Sequence, residues 1–193
     1  GVARAQIPVT DAANITQSIV NSVTELVQTS TTAENMIGNF KETMKIYRQG
    51  KEYYDRLRNV THLVRDARKV QQSILLVGEL SDIYVTSYDK MLTDDNFSSA
   101  ELSAIAAGYN KLMERGMNSL KDLKEIVNPT DYSMTDKERL DRIDQAHGEL
   151  THTRDLMVYY TRKNISVSYL RSQRKNDTQR VLDLYGSPDE KYW

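Results

Sequence analysis

A chain of 193 residues and 22.2 kDa, with 39% hydrophobic and 27% charged side chains, has the composition of a folded protein that can bury a core. Its formal net charge of -1 excludes nothing by itself. The absence of cysteine rules out disulfides and a lipidated N-terminal Cys, and it disfavours zinc and iron-sulfur sites.

The start, Gly1-Val2-Ala3-Arg4-Ala5-Gln6, fits the remainder of a processed precursor, and no secretory signal is visible in it. Residues 1–9 read as an extended leader ending at Pro8, after which Thr10 or Asp11 can cap a long helix. Within that helix Ile19, Leu26, Ala33, Phe40, Tyr47 and Tyr54 recur every seven residues, with Val23, Ser30, Ile37 and Met44 as the companion row. The pattern predicts a helix to about Arg58, broken near Asn59, with Ile37, Phe40, Met44 and Tyr47 facing Ile143, Leu150, Met157 or Tyr160. A second helix is predicted through Leu63, Val64, Ala67, Val70, Ile74, Val77 and Leu80 to Tyr84, running back along the first. Its longest apolar run, Ile74-Leu75-Leu76-Val77, is far short of the roughly 18 to 20 residues that cross a bilayer.

Thr93-Asp94-Asp95-Asn96 is a turn signal, and Ser98 with Glu101 has capping-box spacing. A third helix then carries Leu102, Ile105, Ala106, Tyr109, Leu112, Met113, Met117, Leu120 and Leu123, ending near Asn128 because Pro129 disfavours helical geometry before it. Thr135 with Glu138 repeats the box and opens a last helix through Leu140, Ile143, Ala146, Leu150, Met157, Tyr160 and Val167 to Leu184. Tyr185-Gly186 stops it before Pro188. The three prolines leave two uninterrupted periodic stretches, so the fold class is all-α, an elongated bundle of long helices forming one domain over residues 1–193.

The residues carry no evident catalytic constellation. His62, His147 and His152 are the only histidines, and no pair has the spacing that aims two imidazoles at one ion. Asp141, Asp144 and Glu149 sit among Arg139, Arg142 and Arg154, as on a solvated, salt-bridged face, and no glycine-rich phosphate cradle occurs. Charge is unevenly placed. Residues 41–69 hold nine Lys/Arg against four Asp/Glu, residues 162–180 hold six against one, and residues 79–155 hold nine against sixteen.

Two surfaces are candidates for partner contact. The first is charge-poor: Glu25 is the only charge between Ala12 and Ala33, so a hydroxyl and amide face including Asn21, Thr29 and Thr32 costs little to desolvate against another protein. The same face also suits a helix that simply meets water. The second interleaves cations and aromatics at Tyr159, Arg162, Lys163, Arg171, Arg174 and Lys175, a chemistry that also fits nucleic acid.

The stretches Lys45-Ile-Tyr-Arg-Gln-Gly-Lys-Glu-Tyr-Tyr-Asp55, Asp66-Ala-Arg-Lys-Val-Gln-Gln-Ser-Ile-Leu75 and Asp82-Ile-Tyr-Val-Thr-Ser87 resemble a transfer-region protein family of Bacteroidetes conjugative transposons. So do Ser133-Met-Thr-Asp-Lys-Glu-Arg139, Tyr159-Tyr-Thr-Arg-Lys-Asn-Ile-Ser-Val-Ser-Tyr-Leu170 and the Tyr192-Trp193 end. That family is similar to the TrbJ-type, minor-pilin-like components of type IV secretion. The resemblance implies an exported, periplasmic or cell-surface protein with a three-helix core, a small helical appendage placed at residues 94–134, and a tail at 186–193. It also implies a role in building or capping a conjugation conduit, or in meeting a recipient cell, through contacts with other apparatus proteins and possible self-assembly, without cofactor or reaction. The alternative is a DNA-contacting accessory factor of the same system.

Overall fold

The structure, a computed structural model, describes residues 65–127 and 134–188. Four helices and no strand occur among them: α1 Arg65–Leu92, α2 Ser99–Val127, α3 Asp136–Arg174 and α4 Thr178–Tyr185. The all-α class is therefore as expected, and no helix among the described residues is long and apolar enough to cross a membrane. The leader, the helix expected over 10–58 with Ile37, Phe40, Met44 and Tyr47, the break at Asn59, the Pro129 stop and the aromatic end lie outside the described residues.

Local chemistry sets most of the described boundaries. At the end of α1 the N–H groups of Thr93 and Asp94 bond to the carbonyls of Lys90 and Met91 at 3.1 and 3.0 Å, and Asn96 N–H closes an Asx turn on Asp94 Oδ1 at 3.0 Å. Ser98 then accepts from Glu101 N–H at 3.2 Å while the Glu101 carboxylate accepts from Ser98 N–H at 3.1 Å. Thr135 and Glu138 make the same reciprocal pair at 3.2 and 2.8 Å. Both capping boxes stand where the sequence places them.

The last helix does not run unbroken to Leu184. It ends at Arg174, and Asn176 takes φ 54°, the left-handed conformation that Asn tolerates better than most residues. Asp177 N–H bonds to Ser172 O at 2.9 Å and Asn176 N–H to Gln173 O at 3.4 Å, the two bonds of a Schellman motif with Asn in the usual glycine position. The expected stop at Gly186, φ 88°, instead ends the separate two-turn helix α4.

Cross-helix contacts fix the directions. Tyr88 bonds to Leu102 O on α2 while Leu80 lies against Gly116, so α1 and α2 are antiparallel. Tyr109 meets Thr161 and Ser119 meets Glu149, so α2 and α3 are antiparallel as well. α1 and α3 are parallel: Lys69 pairs with Asp144, Glu79 with Arg154, and Asp94 with Ser168. At 39 residues, α3 is the spine, about 58 Å long at 1.5 Å per residue.

The core follows from these faces. α2 buries Ala106, Tyr109, Met113, Gly116, Leu120 and Leu123 at alternating steps of three and four, flanked by a second row through Ile105, Ser119 and Ile126. Among the described residues α2 packs along its length against both α1 and α3, and the short α4 packs against α3 and α1. α1 is buried over about two thirds of its circumference, with only a stripe through Gln72, Glu79, Asp82, Thr86 and Asp89 reaching solvent. Each large apolar side chain so enclosed contributes about 1.5 to 3 kcal/mol.

The α3 seam mixes apolar and hydroxyl groups. Ile143, Ala146, Leu150 and Met157 are buried as expected, but so are Thr153, Thr161, Ser168 and Ser172. Thr153 and Ser172 return their hydroxyl protons to helix carbonyls at 2.8 and 2.6 Å, which satisfies them without a partner on another helix. Around Thr161 four tyrosines form one layer. The Tyr109 ring lies 4.8 Å from Tyr84 and 4.9 Å from Tyr160, the latter edge-on at 88°. Tyr109 Oη is 2.7 Å from Thr161 Oγ1, and Tyr160 donates to Ile105 O at 2.9 Å. Burial pushes the Tyr84 and Tyr109 phenols well above their ordinary 10, so the layer is neutral.

The glycines give a test of opposite signs. A Cβ on Gly108 would run into the Tyr160 hydroxyl and come within 2.5 Å of its Cζ, whereas one on Gly148 would meet nothing within 4 Å. Gly108→Ala is expected to cost about 1 to 3 kcal/mol by overpacking, and Gly148→Ala to gain up to about 1 kcal/mol from helix propensity. Urea unfolding of the two variants checks both signs.

Candidate functional site

α3 presents one ridge directly away from its buried seam. Tyr159 and Leu170, 62% and 60% exposed, stand there eleven residues apart. Eleven residues are about three helical turns, so both point the same way, some 16 Å apart. Arg162, Lys163 and Arg174 are exposed beside them. Lys163 Nζ lies 5.8 Å from the centre of the Tyr159 ring, within cation–π range.

The structure divides the sequence-predicted basic and aromatic surface. Tyr159, Arg162, Lys163 and Arg174 share the ridge, but Arg171 turns inward and clamps Glu101 through two bonds of 3.0 and 2.7 Å, with a third to Asn96 O at 2.6 Å. Hydrogen bonding from Arg171 holds the Glu101 carboxyl down to about 2. Lys175 Nζ bonds to Asn96 Oδ1 at 3.0 Å. These two cations brace the fold. Asn21, Thr29 and Thr32 lie outside the described residues.

What the periodicity does not reveal is a sealed polar corner under the ridge. The Asp94 side chain is fully buried between the α1–α2 turn, α3 and α4. Its Oδ2 accepts from Ser168 Oγ at 2.5 Å and Tyr185 Oη at 2.6 Å, while Oδ1 accepts from Asn96 N–H and stands 3.4 Å from the Arg180 guanidinium. Asn96 Nδ2 in turn donates to Ser168 O and Oγ, each at 3.1 Å. Burial pushes the Asp94 carboxyl up, but the Ser168 and Tyr185 hydroxyls, the Asn96 N–H and Arg180 together outweigh it, leaving the group below its ordinary 3.8. Tyr185, buried against this carboxylate, is pushed strongly up and stays a donor. The only sequence signal was the Asp-Asp-Asn turn itself; its partners lie 74 to 91 residues away.

The acidic stretch of α3 is exposed. Asp144 pairs with Lys69 at 2.5 Å and Glu149 accepts from Ser119 at 3.2 Å. Among the described residues no group of three or more His, Asp or Glu side chains is placed to hold a metal ion. His147 is half-buried, and burial with Lys69 nearby pushes its imidazole below the ordinary 6.5.

Residues 1–40 match the model of a family described as a domain of unknown function, DUF4141. No curated protein and no solved structure matches the chain.

Asp94 governs how the corner responds to acid. Because its folded-state carboxyl is depressed, the stability it contributes is fully present above its ordinary 3.8 and is lost as pH falls through the lowered value. Asp94→Ala is expected to cost about 1.5 to 3 kcal/mol at pH 7 by stranding buried donors. The gap from the native protein should narrow when unfolding is repeated near pH 3.

Proposed function

We propose that the protein is an exported structural component of a conjugative DNA-transfer apparatus, minor-pilin-like, acting through helix-face contacts with other apparatus proteins. The observation that carries the contact-based reading is the α3 ridge, where Tyr159 and Leu170 face solvent on a bundle whose other large apolar side chains, apart from Leu92, are at least half-buried among the described residues. Aromatic and Arg side chains are enriched at protein interfaces. The conjugative setting is supported by the resemblance of the strings quoted above, and the match of residues 1–40 to a family without assigned function is compatible with it.

A photo-crosslinker placed at Tyr159 or at Thr29, used in mating donor cells, is expected to capture other transfer proteins. Lys substitutions at Asn21, Thr29 and Thr32 should leave stability within about 0.5 kcal/mol while lowering transfer frequency. Full transfer by a normally folded triple variant would remove the N-terminal face from the proposal.

The grouping of Tyr159 with Arg162, Lys163 and Arg174 also favours a second reading, a DNA-contacting accessory factor. With Arg171 and Lys175 engaged by Glu101 and Asn96, few cations of this surface remain for phosphates, so DNA binding is expected to vanish by about 0.2 M salt. A mobility shift that survives this salt and is lost in the Arg162→Ala, Lys163→Ala, Arg174→Ala variant would reverse the order of the two readings.

A further inference from the structure

We infer that the outward face of α3 pairs with the same face of a second copy of this chain, antiparallel and across a two-fold axis at Tyr159. Charge along that face is polarised. Within about 60° of Tyr159 around the helix, the charges from Glu138 to Asp155 are Glu138, Asp141, Asp144 and Asp155, whereas those from Arg162 to Arg174 are Arg162, Lys163 and Arg174. Residues 156–176 as a whole contain five Lys/Arg and no Asp or Glu. Antiparallel pairing lays the acidic half of each copy on the basic half of the other, and parallel pairing would set like against like.

The spacing sets the register. Gly148 and Leu170 stand eleven residues either side of Tyr159, His152 and Ser166 seven, and Asp155 and Lys163 four, all within about 80° of arc. With the two copies of Tyr159 stacked at the axis, Leu170, 60% exposed, comes level with Gly148 of the second copy. A Cβ on Gly148 would meet nothing within 4 Å, so there is open surface there for the Leu170 side chain to cover. A two-fold axis also brings like edges of the face together. Asp155 and Arg162 share one edge, four residues before and three after Tyr159, and so come level to within about 1.5 Å as two symmetric ion pairs. Arg154 donates to Asp155 Oδ1 at 3.3 and 3.2 Å, but that side chain is 64% exposed and keeps its second oxygen for the pair.

Because the same face serves both copies, the contact is isologous and closes at two chains. A second copy is then one occupant of the ridge on which the proposed function rests. If the chain does not pair, the ridge stays open to other apparatus proteins, so the two readings fail separately.

Analytical ultracentrifugation of the purified full chain tests the pairing. The average mass should rise with concentration to two chains and no further. Asp155→Arg and Arg162→Asp should each weaken the dimer by about tenfold or more, because each sets like charges together twice per dimer. An equimolar mixture of the two variants should recover the native association, since opposite charges then meet at both pairs. A chain that stays single at every concentration, growth past two chains, or a mixture of folded variants that fails to recover would overturn the inference. Single cysteines give a second readout that stands even where a charge reversal unfolds the chain, which has no cysteine of its own. Tyr159 and Leu170 are almost equally exposed, but the two copies of residue 159 meet at the axis while those of residue 170 lie about 33 Å apart. Under mild oxidation Tyr159→Cys should therefore form the linked dimer several-fold faster than Leu170→Cys, and equal rates would overturn the inference.

Discussion

One buried carboxylate organises the closed end of this bundle. Asp94 sits at the reversal between α1 and α2, and bonds from Ser168 on α3, from Tyr185 on α4 and from its own turn converge on it. A lone buried charge is costly; one with each oxygen engaged by donors, and with a guanidinium 3.4 Å away, is stable only when those donors are all in place. The corner therefore forms as a unit. Arg171 and Lys175 extend it outward by clamping Glu101 and Asn96, so the turn, the end of α3 and the start of α2 are tied in one arrangement.

That arrangement determines which cations face solvent. Arg171 and Arg174 are three residues apart on one helix, yet the first is half-buried against Glu101 and the second is exposed. The exposed ridge keeps Arg162, Lys163 and Arg174 around Tyr159 and Leu170, a mixture of cation and apolar surface suited to a protein partner more than to a phosphate backbone alone. Its rigidity comes from beneath. The tyrosine layer and the α3 hydroxyls hold the helix by interactions with fixed direction, whereas an all-aliphatic seam would leave its rotation set by packing alone.

The seam also accounts for the modest hydrophobicity of so long a helix. Thr153, Thr161, Ser168 and Ser172 occupy positions where a bundle ordinarily places Leu or Ile. Two of them satisfy themselves on backbone carbonyls and two reach across to Tyr109 and Asp94. Burying them is tolerable because no hydroxyl is left without an acceptor. Close approach is preserved at Gly108, where the Tyr160 ring lies in the space a side chain would need.

The sequence by itself determined the elements that depend on near neighbours. Apolar spacing marked most of the buried residues of α2 but fewer than half of those of α1 and α3, and the Ser98 and Thr135 boxes marked two helix starts, because helical period and capping are decided within a few residues. The break at Asn176 was locally encoded too, but an Asn in a glycine's place is a weak signal beside the strong period on either side. Tertiary structure alone decided what depends on distant pairing. Ser168 and Thr161 look like solvent-facing residues until Asp94 and Tyr109 are brought to them, and Arg171 looks like surface until Glu101 is. Residue type and spacing supply the period and the caps, but the cost of burying a polar group is set by whichever partner the fold places against it.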